Sequence, residues 1–178
     1  MTHLIDENDL RNECGLAQIS NDDKRYKVHL HIRAAHRKLE KTICYDFYNE
    51  LITQFDSNTL TAENELFLER AKPYLCWLAY SRYAATSHIF DTDAGLSTYL
   101  GEDSEIADVS AVNSVVKMAE AEAMYYEVDM LNFLVDNIID YPTYDASDCN
   151  ECNDDKDSAY SFSISGAGSS KSRPFKRY

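Results

Sequence analysis

What this sequence has least of is uninterrupted apolar length. No apolar run exceeds a few positions, and no basic segment precedes an apolar one at the N-terminus. A membrane span needs roughly 20 such residues and a secretory leader needs both parts, so neither is expected and the protein should stay where it is made. Cysteine is sparse and odd in number. Cys14, Cys44, Cys76, Cys149 and Cys152 follow no framework spacing, which fits a reducing compartment better than a disulfide scaffold. No Asn-x-Ser/Thr acceptor occurs, and neither does GxSxG, HExxH or GxGxxG. Spacing assembles no nucleophile, base and orienting group, so an enzyme is not expected and no cofactor is implied. Positive charge is scarce as well: 17 Lys and Arg against 31 Asp and Glu leave −14. That field repels phosphate backbones, which disfavours wrapping or reading nucleic acid but suits an acidic wall past which DNA slides without sticking.

What is present centres on Tyr74 to Leu100. Leu75, Leu78, Ala79, Ala85 and Ile89 recur at three to four with the single Trp alongside, the stripe of an amphipathic helix. From Ile89 the period falls to about two, and Asp93, Ala94 and Gly95 read as the turn of a small β-hairpin over 89–100. The 178 residues suffice for one core plus tails. Asp6 to Cys14 predicts a short polar helix ended by Gly15, and 1–24 forms an N-terminal helix and turn. Val28, Ile32, Ala35, Leu39, Ile43, Phe47, Leu51 and Phe55 predict one long helix or two stacked ones. Its outward face is basic: Arg25, Lys27, Arg33, Arg37, Lys38 and Lys41. Such runs usually face water, although in a chain this acidic the stripe can also meet an acidic neighbour.

Thr61 is placed to cap the next helix, through Leu66, Phe67 and Ala71. Pro73 then either kinks it or starts a fresh one. Ser110 is placed to cap a third long helix whose wide apolar face runs through Val112, Val115, Val116, Ala119, Ala123, Tyr126, Met130, Phe133, Leu134 and Ile138 to Tyr141 and Pro142. The expectation is a mainly α fold over 25–144: three long amphipathic helices in a bundle carrying the hairpin. Residues 145–178 differ in kind. An acidic linker leads to Tyr160, Phe162 and Ile164 alternating with serines, a strand without a local partner, and a Gly/Ser spacer leads to the basic aromatic end Arg173, Phe175, Lys176, Arg177 and Tyr178. A lone strand is unstable, so this strand-plus-tail arm should pair with another chain.

Cys149 and Cys152 have the spacing of a metal half-site, but no second ligand pair follows, and the surrounding carboxylates oppose thiolate chemistry. Gly166 to Ser172 lacks the Gly before Lys171 that a phosphate loop needs and runs into Pro174. Asp91, Asp93, Gly95 and Glu102 put Gly one place early for a calcium loop, so a turn is the better account. Tyr, at 13 residues, suits protein interfaces, combining apolar area with a polar tip.

With helices and hairpin placed, the stretch from about Tyr26 to Tyr144 resembles the head-tail connector (ring or adaptor) proteins of tailed bacteriophages, crAss-like phages in particular. The features that carry the likeness are the helix AKPYLCWLAYSRYAATSHI, the hairpin FDTDAGLSTYL with the acidic-serine loop after it, and the helix AEAEAMYYEVDMLNFLVDNIIDYPTY ending in Tyr-Pro. The resemblance implies a structural virion protein at the head-tail junction. It would form a homo-oligomeric ring, twelvefold in that family, bind beneath the portal protein, extend the DNA channel and meet tail components. The candidate contacts are then Phe90, Leu96 and Tyr99 on the hairpin together with Tyr160, Phe162, Ile164, Arg173, Phe175, Lys176, Arg177 and Tyr178 of the arm. The alternative is a soluble intracellular binding or regulatory module that recognises a protein partner through that arm.

Overall fold

The computed structural model describes residues 3–16, 22–87, 89–92, 95–98 and 109–144. Among these the chain is mainly α: α1 (Glu7–Cys14), α2 (Asp22–Ile43), α3 (Tyr45–Ser57), α4 (Ala62–Thr86) and α5 (Val109–Asp136), with a 3-10 turn at Ile138–Asp140. Between α4 and α5, β1 (Ile89–Thr92) pairs antiparallel with β2 (Gly95–Thr98), with Ile89 opposite Thr98 and Thr92 opposite Gly95.

Local chemistry sets the helix ends. Asp6 accepts the N–H groups of Asn8 and Asp9 at 2.7 and 2.9 Å while Asp9 accepts that of Asp6 at 2.8 Å, a reciprocal cap for α1. Gly15 closes the helix at φ 68, a conformation that costs glycine little. Thr61 caps α4 by accepting the Asn64 N–H at 3.2 Å. Ser110, by contrast, lies within α5, which already includes Val109; its carbonyl accepts the Ser114 hydroxyl at 2.8 Å.

The long pattern from Val28 to Phe55 resolves into two helices broken at the single residue Cys44, which holds φ 71 and ψ 147. This region is rarely adopted by a residue with a Cβ and costs on the order of 1–3 kcal/mol. Cys44 is disulfide-bonded, whereas Cys14 and Cys76 are free thiols. The cysteine spacing offered no framework in which to expect a bond, because spacing along the chain does not say which thiols folding brings together. Burial and the Glu13 charge push Cys14 up to about 12, so it is protonated and unreactive at neutral pH.

α4 is the helix that α1, α2 and α5 all pack against. It is continuous through Pro73 rather than restarted there; the proline leaves only the Glu69 carbonyl without its usual intrahelical donor. Phe67, Ala71, Tyr74, Leu75, Cys76, Ala79 and Tyr83 are buried on more than one face of it, the mark of a central helix rather than of a single amphipathic stripe. One core gathers Leu4, Ile5 and Leu10 from the N-terminal segment, Val28, Ile32, Ala35, Leu39 and Ile43 from α2, and Ala123, Met130 and Leu134 from α5. The N-terminal segment from Leu4 to Leu10 therefore contributes to the same core as the bundle.

After α5 the chain turns back. Tyr141 and Tyr144 are buried against α3 and α4, with ring centroids 5.5 and 6.2 Å from Phe47, which itself meets Phe67 at 5.0 Å. The Tyr141 hydroxyl donates to the Glu63 carbonyl at 2.7 Å, and that of Thr143 to Glu50 at 2.6 Å. The Tyr-Pro terminus thus clasps the far ends of the bundle together.

Candidate interaction surfaces

Tyr99, the arm residues Tyr160, Phe162, Ile164, Arg173, Phe175, Lys176, Arg177 and Tyr178, and the metal half-site Cys149 and Cys152 lie outside the described residues. Phe90 and Leu96 lie on the hairpin, where Phe90 is opposite Ser97 and Leu96 opposite Asp91, so they occupy different rungs. Among the described residues no group of three or more His, Cys, Asp or Glu is placed to hold a metal ion, and no helix is long and apolar enough to cross a membrane.

The buried polar groups serve the fold. His36 is 1% exposed. Its Nε2 accepts the Leu4 N–H at 3.2 Å, and its Nδ1 lies 3.1 Å from the Tyr48 hydroxyl. Because Nε2 accepts, Nδ1 carries the proton and donates to Tyr48. Burial, aided by the neighbouring His3, lowers His36 to about 4. It is therefore a neutral latch between the N-terminal segment, α2 and α3. His31 works similarly nearer the surface. The Thr86 hydroxyl donates to the Arg82 carbonyl at 3.0 Å, so His31 Nε2, 2.8 Å away, donates to Thr86 and ties α2 to the end of α4.

Tyr74 is 1% exposed, and its hydroxyl has no hydrogen-bond partner of good geometry, although Thr42 and Glu127 lie within electrostatic reach. Burial first, then the Glu127 charge, pushes this phenol well above its usual range. A buried hydroxyl without a partner costs stability. Tyr74→Phe is therefore expected to leave stability unchanged or to raise it by up to about 1 kcal/mol in chemical denaturation. A clear loss would show that the hydroxyl is bonded.

Two helix faces remain turned outward. On α2, Arg33, Arg37, Lys38 and Lys41 are exposed. Lys38 lies 4.0 Å from Glu127, whereas Arg33, Arg37 and Lys41 join no salt bridge among the described residues. Tyr26 and Leu30, 66% and 39% exposed, continue the same stripe towards the start of α2.

On α5 the inward face is Ala119, Ala123, Met130 and Leu134. Opposite it stand Met118, Tyr125, Val128 and Val135, each more than half exposed, with Met124 beside them. Val115 and Ile138, expected in the buried face, are also exposed. Arg70 of α4 braces one flank of α5, 2.8 Å from Asp129 and stacked 5.0 Å over the Phe133 ring. Asp136 and Asp140 at the other end are exposed and join no salt bridge among the described residues. Among the described residues α5 thus carries an apolar stripe on each side, and the bundle covers only one. Sequence reasoning sought a single buried face and missed the second; its signal is the recurrence of Met118, Tyr125, Val128 and Val135 out of phase with the core positions.

Residues 39–154 match the model of DUF6712, a family of unknown function. No curated protein and no solved structure matches the chain.

Proposed function

We propose that this chain, which belongs to the DUF6712 family, is a structural assembly protein, a ring subunit of a phage head-tail connector. In this reading the subunit sits beneath the portal, extends the DNA channel and joins the capsid to the tail. The observation that supports it most is the outward stripe of α5. A helix already buried on one side gains nothing as a monomer from exposing Met118, Tyr125, Val128 and Val135 on the other, and such faces mark protein contacts. The net charge of −14 suits a wall that DNA passes without binding. The resemblance of residues 26–144 to connector proteins supports that location.

Purified particles should contain the protein in several copies per head-tail junction, seen as ring density beneath the portal by electron microscopy. Its absence from particles, together with failure to bind portal protein on co-expression, overturns the reading. The basic end is expected to contribute to assembly: deleting 171–178 should weaken association and leave the melting temperature of the unassembled chain unchanged. An equal loss of monomer stability would place the tail in its own core.

A further inference from the structure

We propose that the outward face of α5 is one half of a head-to-tail contact whose other half is the basic face of α2 on a second copy of the chain. This rests on the assembly reading and gives it an interface.

Three observations lead to it. First, each face is exposed and passes from aromatic and apolar residues to charge in the same direction; the α5 line takes Tyr125 and Val128 from the apolar stripe and continues through the exposed Asn132 to Asp136 and Asp140. Along α2 the stripe runs Tyr26, Leu30, Arg33, Arg37, Lys41; along α5 and the turn after it, Tyr125, Val128, Asn132, Asp136, Asp140. Second, both stripes advance three or four residues at a time, so the step from their aromatic start to their charged end matches. Tyr26 to Arg37 and Tyr125 to Asp136 are each eleven residues, about 16 Å at the helical rise. With the two helices parallel, Tyr26 meets Tyr125, Leu30 meets Val128, Arg33 meets Asn132 and Arg37 meets Asp136, with Lys41 near Asp140. Third, the charges are complementary and unused. Arg33, Arg37 and Lys41 join no salt bridge among the described residues, and neither do Asp136 and Asp140.

An occupant for the α2 face must be acidic, and one for the α5 face must offer apolar area followed by positive charge. A second copy supplies both, in register, in a chain whose overall charge is −14. Because the two faces differ, the contact is heterologous. Each copy keeps one unused face of each kind, so association continues from copy to copy until the rotation closes a ring. An α5-to-α5 pair would instead bring Asp136 and Asp140 of one copy against those of the other or leave them unpaired.

Two full-length variants and their mixture test this by sedimentation velocity. Tyr125→Arg with Val128→Arg removes the α5 face; Arg37→Asp with Lys41→Asp removes the α2 face. All four positions are exposed, so circular dichroism and melting temperature should stay those of the parent. Each variant alone is expected to associate about tenfold or more weakly than the parent. Mixed, the two restore one good interface, in which the α2 face of the first meets the α5 face of the second, and should give 1:1 dimers that grow no further. The quadruple exchange Arg37→Asp, Lys41→Asp, Asp136→Arg, Asp140→Arg reverses both partners and should recover association even if a single-face variant folds poorly.

The proposal is overturned if the α5 variant assembles as the parent does, if the α2 variant still assembles alone, or if the mixture stays monomeric while the parent assembles. In each of these cases the ring reading survives with another interface. A parent chain that stays monomeric at its highest soluble concentration and with portal protein present removes the interface and the ring together.

Discussion

Phe47→Ala is expected to lower the unfolding free energy by about 3–5 kcal/mol, the usual loss for emptying a fully buried aromatic position. Phe47 is 1% exposed and sits in the first turn of α3, directly after the strained junction at Cys44. Its ring is the meeting point of the C-terminal clasp: edge contacts reach Phe67 of α4 at 5.0 Å, Tyr141 at 5.5 Å and Tyr144 at 6.2 Å. The cavity would thus open where three separate parts of the chain converge, and small shifts cannot close it without breaking the Tyr141 bond to the Glu63 carbonyl. Two measurements follow. The denaturation midpoint should fall by the amount above, and amide exchange at 138–144 should accelerate more than exchange in α2, because the clasp loses its anchor while the α2–α4 contact keeps its own core. Tyr141→Phe, which removes only the hydrogen bond at 2.7 Å, should cost about 0.5–1.5 kcal/mol. A Phe47→Ala loss no larger than that of Tyr141→Phe would mean that the clasp does not carry the stability assigned to it.

Much of this architecture is legible in the residue pattern, and the places where it is not have identifiable causes. Val28, Ile32, Ala35, Leu39, Ile43, Phe47 and Leu51 are all buried, as their spacing of three to four requires of a helix with one covered side. The fall in period at Ile89 coincides with the end of α4 and the start of β1. Periodicity is weakest where a helix has more than one neighbour: α4 is buried on several faces, so its pattern does not announce that it is the element on which α1, α2 and α5 converge. It is equally blind to a break of one residue. The Cys44 junction leaves the phase of the apolar positions nearly intact, and only the backbone geometry reveals it. Charge on α2 could be read directly from the sequence, but the matching face of α5 could not, because Met, Tyr and Val at outward positions look like a widening of the buried stripe until the fold shows which side α4 covers. His36 was visible as a residue in phase with Ile32 and Leu39; its role depends on Leu4 and Tyr48, which only the tertiary fold brings to it.

Acid should destabilise the fold through that same histidine. In the unfolded chain an imidazole takes up its proton near pH 6.5, whereas burial and the nearby His3 hold the His36 ring unprotonated until about pH 4. The folded pKa lies below the unfolded one, so the unfolded state binds the proton first as the pH falls. Stability from this group is therefore complete above about pH 6.5, declines between 6.5 and 4, and changes little below that, for a total of about 3–4 kcal/mol at roughly 1.4 kcal/mol per pKa unit. Protonation also places a hydrogen on Nε2, where the Leu4 N–H now donates, so the N-terminal segment at Leu4 and Ile5 should detach before the bundle does. His3 and His31, both lowered chiefly by burial, act in the same direction, while Asp6, lowered by the N–H groups it caps, acts in and below the ordinary carboxylate range. His36→Gln separates these contributions. Glutamine can accept the Leu4 N–H yet does not titrate, so the variant should be about 1 kcal/mol less stable at pH 7 but show a shallower loss of stability between pH 6.5 and 4 than the parent. Denaturant midpoints measured across that interval decide the matter: parallel curves for parent and variant would exclude His36 as the acid-sensitive group, because relief of the net negative charge and titration of the other groups are common to both.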